Sequence, residues 1–82
     1  MIRDKLAYAK FHLNTLVEVC RAVFRKSLSG QDKELAASLI KYANELLDED
    51  TLDAYSNIEL EMIGINALSF WKPMLKQMVW QK

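Results

Sequence analysis

The sequence contains only two glycines and one proline among its 82 residues. Tight turns between β-strands depend on these residues, so their shortage excludes most turn-rich β folds and favours helices. The apolar share of 51% and the charged share of 27% are ordinary for a folded protein. We therefore expect a single helical domain over residues 1–82, small enough to bury only about 60% of its unfolded surface.

The sequence also has a single cysteine and a single histidine. A lone cysteine, Cys20, excludes an internal disulfide and a cysteine-based metal cluster, and its apolar setting predicts a buried, unreactive thiol. His12 lies about 12 Å from Cys20 along one predicted helix, too far for a Cys–His catalytic pair. We expect His12 at the surface or at the boundary of the core. Because the sequence contains no catalytic, metal or nucleotide motif, we predict neither an enzyme nor a cofactor.

Long apolar runs are absent as well. No run of about 18 apolar residues free of charge occurs. Charges also interrupt the N-terminus, where a secretory signal would have its apolar segment. We expect a cytoplasmic protein and no membrane partner.

The chain as a whole has no excess of one charge, whereas its three segments do. The formal net charge is 0, with +4 over residues 1–30, −7 over residues 31–70 and +3 over residues 71–82. A neutral chain does not suggest a nucleic-acid partner, although a local basic face is compatible with it.

The clearest pattern that is present is a seven-residue rhythm at the start of the chain. Apolar residues recur at alternating steps of four and three: Ile2, Leu6, Ala9, Leu13, Leu16, Cys20 and Val23. This spacing is typical of a helix that packs along a nearly parallel neighbour. It predicts a first helix over residues 2–28, ended by Ser29-Gly30. The stripe widens toward its C-terminal end through Val17, Val19 and Phe24, and we expect that end to lie deepest in the core.

A second helix is predicted over residues 31–48. It begins after Ser29, which with Asp32 resembles a capping box. Two adjacent apolar stripes run along it, which is typical of a helix with two neighbours. One consists of Leu35, Leu39, Tyr42 and Leu46, the other of Ala36, Ile40, Ala43 and Leu47.

A third helix, over residues 52–71, is apolar on most sides, and we expect it to be the most buried. Its start lies at Leu52 or, with the capping box Ser56-Asn57-Ile58-Glu59, at Asn57. Pro73 should stop or kink this helix, leaving a last helical segment over residues 74–80. The pattern predicts an all-α fold, a three-helix antiparallel bundle with a C-terminal helical extension after Pro73.

The C-terminal segment carries the strongest signal for an interaction surface. Within eleven residues it places two tryptophans and two methionines: Trp71, Met74, Met78 and Trp80. Both residue types are enriched at the centres of protein interfaces. This segment docks on a partner or a second copy, or it folds back over the first helix; a third alternative is binding to a lipid surface through Trp80 with Lys72, Lys76 and Lys82.

Tyr8 and Phe11 form another candidate surface. With Thr15 they lie on the face of the first helix opposite its heptad stripe, so we expect them to point outward. A second apolar face of this kind would serve self-association, although scattered exposed apolar residues are also normal.

Charged residues form two further candidate sites. The acidic patch consists of Asp48, Glu49, Asp50, Asp53 and Glu59. Read as a calcium loop from Asp48, the segment fails because Leu52 and Asp53 occupy positions five and six, so we expect helix-start charges or a patch that docks on a basic partner. The basic cluster consists of Arg21, Arg25 and Lys26, which suit a helix C-terminus and could also contact an anion.

These observations predict a small non-enzymatic protein–protein interaction module. It would act as a regulator, adaptor or inhibitor of a larger macromolecule, as a homodimer or higher homo-oligomer. One alternative is a helical oligomer that sequesters a small anion or nucleotide at a composite site built from Arg21, Arg25 and Lys26. The other is nucleic-acid binding through the basic end of the first helix.

Overall fold

The chain folds into three α-helices joined by short connections. The structure, a computed structural model, describes the backbone of residues 4–80 and the side chains of residues 5–77. Helix α1 spans Asp4–Lys26, α2 spans Gly30–Leu47 and α3 spans Asn57–Trp80, with a short 3₁₀ helix at Thr51–Ala54 between α2 and α3. Residues 4–80 contain no strand. The predicted all-α three-helix bundle, running up, down and up, is confirmed.

Helix α1 is the centre of the bundle. It packs against both α2 and α3, whereas α2 and α3 hardly contact each other, and the molecule measures 46 × 21 × 13 Å. Two neighbours require a wide apolar face on α1. Its buried residues are Ala9, His12, Leu13, Leu16, Val17, Val19 and Cys20.

The predicted heptad stripe is confirmed within the described residues. Ala9, Leu13, Leu16 and Cys20 are fully buried, while Leu6 and Val23 pack against the core they form; Ile2 lies outside the described residues. The predicted widening of the stripe is correct for Val17 and Val19 but wrong for Phe24, whose side chain is exposed. The centre of its ring lies 5.7 Å from the Nζ of Lys33.

Helix α2 is capped as predicted, but it has fewer neighbours than expected. The Ser29 hydroxyl accepts a hydrogen bond from the Asp32 N–H at 3.3 Å, which satisfies a free donor of the first turn. Its buried residues are Ala36, Leu39 and Ala43, and its stripe residues Leu35 and Tyr42 are exposed. The prediction of two flanking helices is wrong because α3 does not reach α2 along most of its length.

Both predicted starts of the third helix correspond to structure. The 3₁₀ turn at Thr51–Ala54 buries Leu52, and α3 then begins at Asn57. The predicted capping box is present: the Ser56 N–H donates to Glu59 Oε1 at 2.9 Å, and the Glu59 N–H donates to the Ser56 hydroxyl at 3.3 Å. This reciprocal pair sets where the helix starts.

The predicted stop at Pro73 is wrong, because α3 continues through Pro73 to Trp80 as one helix; the alternative, a kink at Pro73, stays a prediction. Proline removes the hydrogen bond to the carbonyl of Ser69, but both residues are exposed, so water can replace the missing donor. Trp71 and Met74, on either side of Pro73, both pack against the core. The predicted extension after Pro73 is helical but is part of α3.

The prediction that the third helix is the most buried is also wrong. Over residues 57–77, whose side chains the structure describes, helix α3 contributes Leu60, Gly64 and Ala67 as buried residues, fewer than α1. The reason is topological, since α3 has one helical neighbour and α1 has two.

Helices α1 and α3 run parallel and approach closely at Gly64. The Lys5 Nζ and Glu61 Oε2 lie 2.9 Å apart near the starts of the two helices. One turn further along, the ring of Tyr8 lies over Gly64 so tightly that a Cβ atom at position 64 would overlap it. Glycine is needed here for close approach, not for an unusual φ.

We predict that Gly64→Ala lowers the free energy of unfolding by about 1 kcal/mol, because the overlap with Tyr8 outweighs the higher helix propensity of alanine. In a Tyr8→Ala background the same change should raise it by up to about 1 kcal/mol, since no overlap remains. Urea denaturation of the wild type, both single variants and the double variant measures the four values. Equal destabilisation in both backgrounds would contradict the proposed contact.

Candidate functional site

The outward side of α3 carries large apolar side chains that the fold does not cover. Ile58 is 74% exposed, Met62 61% and Ile65 49%. Their spacing of four and three residues places them in one row, opposite the buried Leu60 and Ala67. We call this row of Ile58, Met62 and Ile65 the outer α3 face.

The outer α3 face exists because α3 is apolar on two sides and has only one helical neighbour. A helix that is apolar nearly all round is normally enclosed by other elements. Here α1 covers one side, and within the described residues nothing covers the other. An exposed row of this kind indicates an interaction surface more strongly than isolated apolar residues do.

A shallow depression continues the outer α3 face toward the C-terminal end of the helix. It forms where the small Ser69 and the ring of Pro73 interrupt the line of large side chains. Its lining is mostly apolar and consists of Ile65, Leu68, Ser69, Lys72, Pro73 and Lys76.

The charges of α3 are segregated along its length. Both acids, Glu59 and Glu61, lie in the first two turns, and both bases, Lys72 and Lys76, lie in the last three. Hydrogen bonds from the backbone N–H and the hydroxyl of Ser56 lower the pKa of Glu59. The helix is therefore negative near Ile58 and positive near the depression.

Two of the four predicted C-terminal interaction residues belong to the packed part of the bundle. Trp71 and Met74 are half-buried and pack against the core. For these two the structure matches the alternative in which the segment covers the first helix. The side chains of Met78 and Trp80 lie outside the described ones, so a role in partner binding stays a prediction for them.

Tyr8 and Phe11 do not form one surface. Phe11 points outward as expected and is 62% exposed. Tyr8 was expected to point outward too, but it is half-buried against Gly64, with the Lys5 ammonium 5.2 Å from its ring. Thr15 is half-buried, and its hydroxyl donates to the Phe11 carbonyl at 2.8 Å.

His12 lies in a cluster of aromatic rings. The ring centroids of Tyr8, Phe11 and Trp71 are 4.6, 5.1 and 5.8 Å from that of His12. The indole Nε1–H of Trp71 donates to His12 Nδ1 at 3.2 Å, which requires this nitrogen to be unprotonated. Burial lowers the pKa of His12. His12 is 9% exposed and is not among the residues of the apolar core, so the expected surface position is wrong and the expected boundary position agrees with the structure.

The acidic patch lies on the connection between α2 and α3. Asp48, Glu49, Asp50, Asp53 and Glu59 are all exposed. Glu59 is engaged in the capping box, and Glu49 has a φ of 37°, a left-handed conformation that costs energy for a residue with a Cβ. Within the described residues no group of three or more histidine, cysteine or acidic side chains could hold a metal ion.

The basic cluster is divided between two places. Arg21 and Arg25 line a shallow depression between α1 and α2, beside Glu18. Lys26 instead lines a cavity of about 110 Å³ near the start of α2, beside Asp32. Each place contains a carboxylate, and the three bases do not converge on one anion site within this chain.

The buried thiol is the remaining reactive group. Cys20 is fully buried, and burial raises the pKa of its thiol to about 11. At neutral pH it is a packing residue, as predicted, because the reactive thiolate is scarcely populated.

Among the described helices none is both long enough and apolar enough to cross a membrane. No family model matches the chain, and neither a curated protein nor a solved structure is similar to it.

We predict that the free energy of unfolding falls as the pH drops from about 6.5 toward 5. The pKa of His12 is lowered in the folded state, so the unfolded chain, with an ordinary pKa of 6.5, binds the proton first. Urea denaturation at a series of pH values should show that His12→Gln flattens this part of the curve. The further loss at more acidic pH, where the unfolded chain binds a proton at Glu59 before the folded chain with its lowered pKa does, should remain in this variant. An unchanged curve in His12→Gln would assign the drop to other groups.

At neutral pH, we predict that Trp71→Phe lowers the free energy of unfolding by about 1 kcal/mol, because the hydrogen bond to His12 is lost.

We predict that Glu49→Gly raises the free energy of unfolding by about 0.5–1 kcal/mol. Glycine adopts the left-handed conformation without steric cost, although it also gains entropy in the unfolded chain. Glu49→Ala is the matched control, because it removes the same charge but keeps the Cβ. Thermal unfolding of both variants measures the difference, and an equal gain in both would attribute the effect to charge instead.

Proposed function

We propose that this chain is a small non-enzymatic protein–protein interaction module whose binding surface is the outer α3 face. It acts by occupying a surface on another protein chain, either a second copy or a different protein, as an adaptor, regulator or inhibitor does, and it works as a homo-oligomer. The observation that supports this most directly is the uncovered row of Ile58, Met62 and Ile65.

The exposed area gives this surface a driving force for binding. Fully burying one large aliphatic side chain contributes about 1.5–3 kcal/mol, and these three are half to three-quarters exposed. Covering them would contribute several kcal/mol before the cost of association is subtracted. A methionine in the middle of the row can also adapt its shape to a partner.

A protein fits this surface better than a small ligand does. The outer α3 face is convex, and the adjoining depression is shallow and mostly apolar. Small ligands favour deep concave sites that enclose most of their surface. A helix with an exposed row at this spacing is instead suited to packing against another helix.

The two alternative functions receive less support from the geometry. Anion or nucleotide binding would use Arg21, Arg25 and Lys26 together, and they line separate places, each beside a carboxylate. Nucleic-acid binding through the end of α1 would require more basic side chains on one face than Arg21 and Arg25 provide.

Site-specific photo-crosslinking tests the proposal in cells of the source organism. A photoreactive amino acid at Met62 should give a discrete covalent adduct, whereas the same group at Ser38, an exposed position on α2, should give none. Adding Ile65→Glu should abolish the adduct, because a charge would then lie within the contact. Immunoblotting detects the adducts.

Three results would contradict the proposal: no adduct from Met62, equal adducts from both positions, or an adduct that Ile65→Glu leaves unchanged. The mass of the adduct identifies the kind of partner. Twice the chain mass of 9.5 kDa indicates a second copy, and any other mass indicates a different protein.

A further inference from the structure

We infer that the outer α3 face binds the same face of a second copy of this chain, with the two α3 helices antiparallel about a two-fold axis. The inference rests on the proposed function, because it names the partner of the same surface. Two independent features of α3 support it, the distribution of shape along the helix and the distribution of charge.

The shape of the outer α3 face is complementary to itself only in the antiparallel arrangement. Ile58 and Met62 protrude from the N-terminal half of α3, and the depression beside Ser69 and Pro73 lies in the C-terminal half. A two-fold axis between the halves places the protruding residues of each copy over the depression of the other. A parallel pair would set protrusion against protrusion and depression against depression.

The axis passes close to the middle of the outer α3 face. With Met62 of one copy over the depression of the other, Ile65 of both copies lies beside the axis, and Ile58 approaches the other copy's Lys76. The small Ser69 lets the two backbones approach in this region. The contact is then about 27 Å long, from residue 58 to residue 76 of each helix.

The charges favour the same orientation. In the antiparallel pair Glu59 of one copy lies near Lys76 of the other, and Glu61, which also pairs with Lys5 of its own chain, lies near Lys72, at both ends of the contact. In a parallel pair acids would face acids and lysines would face lysines. Charges at the rim of an interface act mainly on orientation and partner choice, whereas the apolar row supplies most of the affinity.

Light scattering of the purified chain over about a hundredfold range of concentration tests for the second copy. The wild type should approach twice the 9.5 kDa of one chain as concentration rises. Ile65→Glu should be a monomer throughout, with a circular dichroism spectrum and melting curve like those of the wild type. Leu35→Glu is the matched control, because Leu35 on α2 is 51% exposed, close to the 49% of Ile65, and should leave the dimer intact.

Charge reversal tests the rim. Lys72→Glu with Lys76→Glu should weaken the dimer about tenfold at low salt, and the difference from the wild type should shrink as salt is added. An unchanged or tighter dimer at low salt would overturn the charge pairing.

Cysteine crosslinking tests the antiparallel orientation of the two α3 helices. The native Cys20 does not interfere, because its side chain is fully buried. Ser69→Cys, close to the axis, should form a disulfide between identical copies. Ile58→Cys alone should not, since its two copies are about 27 Å apart. A mixture of Ile58→Cys with an affinity-tagged Lys76→Cys should give the mixed disulfide. A disulfide of Ile58→Cys with itself, or no mixed disulfide, would overturn the antiparallel arrangement.

The inference and the proposed function fail in different ways. A wild type that stays monomeric overturns the inference, and the proposed function then stands if Met62 crosslinks to another protein. A dimer that Ile65→Glu leaves intact overturns the inference as well, because the copies then meet elsewhere. If Met62 also forms no adduct in cells, the proposed function fails together with it.

Discussion

The whole structure depends on the packing of one helix, α1, between two helices that hardly contact each other. The two flanking helices present small residues to it, Ala36 and Ala43 from α2 and Gly64 and Ala67 from α3, all of them buried. Small residues let the helices approach closely, so the large side chains of α1 fill the core. Within the described residues, half of the buried apolar residues therefore lie on α1 alone, and the other two helices keep apolar residues at the surface.

The heptad stripe and the capping boxes, which rest on local spacing, agreed with the structure, whereas the outward position of Tyr8 and the neighbours of α2 and α3, which depend on how the helices pack, did not. The heptad stripe of α1 and the capping boxes at Ser29 and Ser56 require only residues within one turn or one helix. The second stripe of α2 and the burial of α3 depend on whether these helices meet. Nothing in the periodicity of either helix specifies that they stay apart.

The candidate site was only partly accessible to sequence reasoning, for the same reason. The abundance of apolar residues in the last third of the chain was visible, but not which of them the core would use. Trp71 packs near His12, 59 residues away, through a hydrogen bond that no local pattern indicates. Ile58, Met62 and Ile65 are at the surface because α1 takes up only one side of α3. A spacing of four and three on an all-round apolar helix was the one available signal, and it fits either side equally.

The limited contact of α2 with the rest of the molecule has a consequence for how the protein opens. Helix α2 packs mainly on α1 and the short 3₁₀ helix, whereas α1 and α3 share a longer contact with an ion pair, an aromatic cluster and the fit at Gly64. Partial opening should therefore begin with detachment of α2 while α1 and α3 stay together. Such opening would uncover the thiol of Cys20, which is otherwise inaccessible to reagents. The rate at which this one thiol reacts in the native protein therefore reports how often α2 detaches.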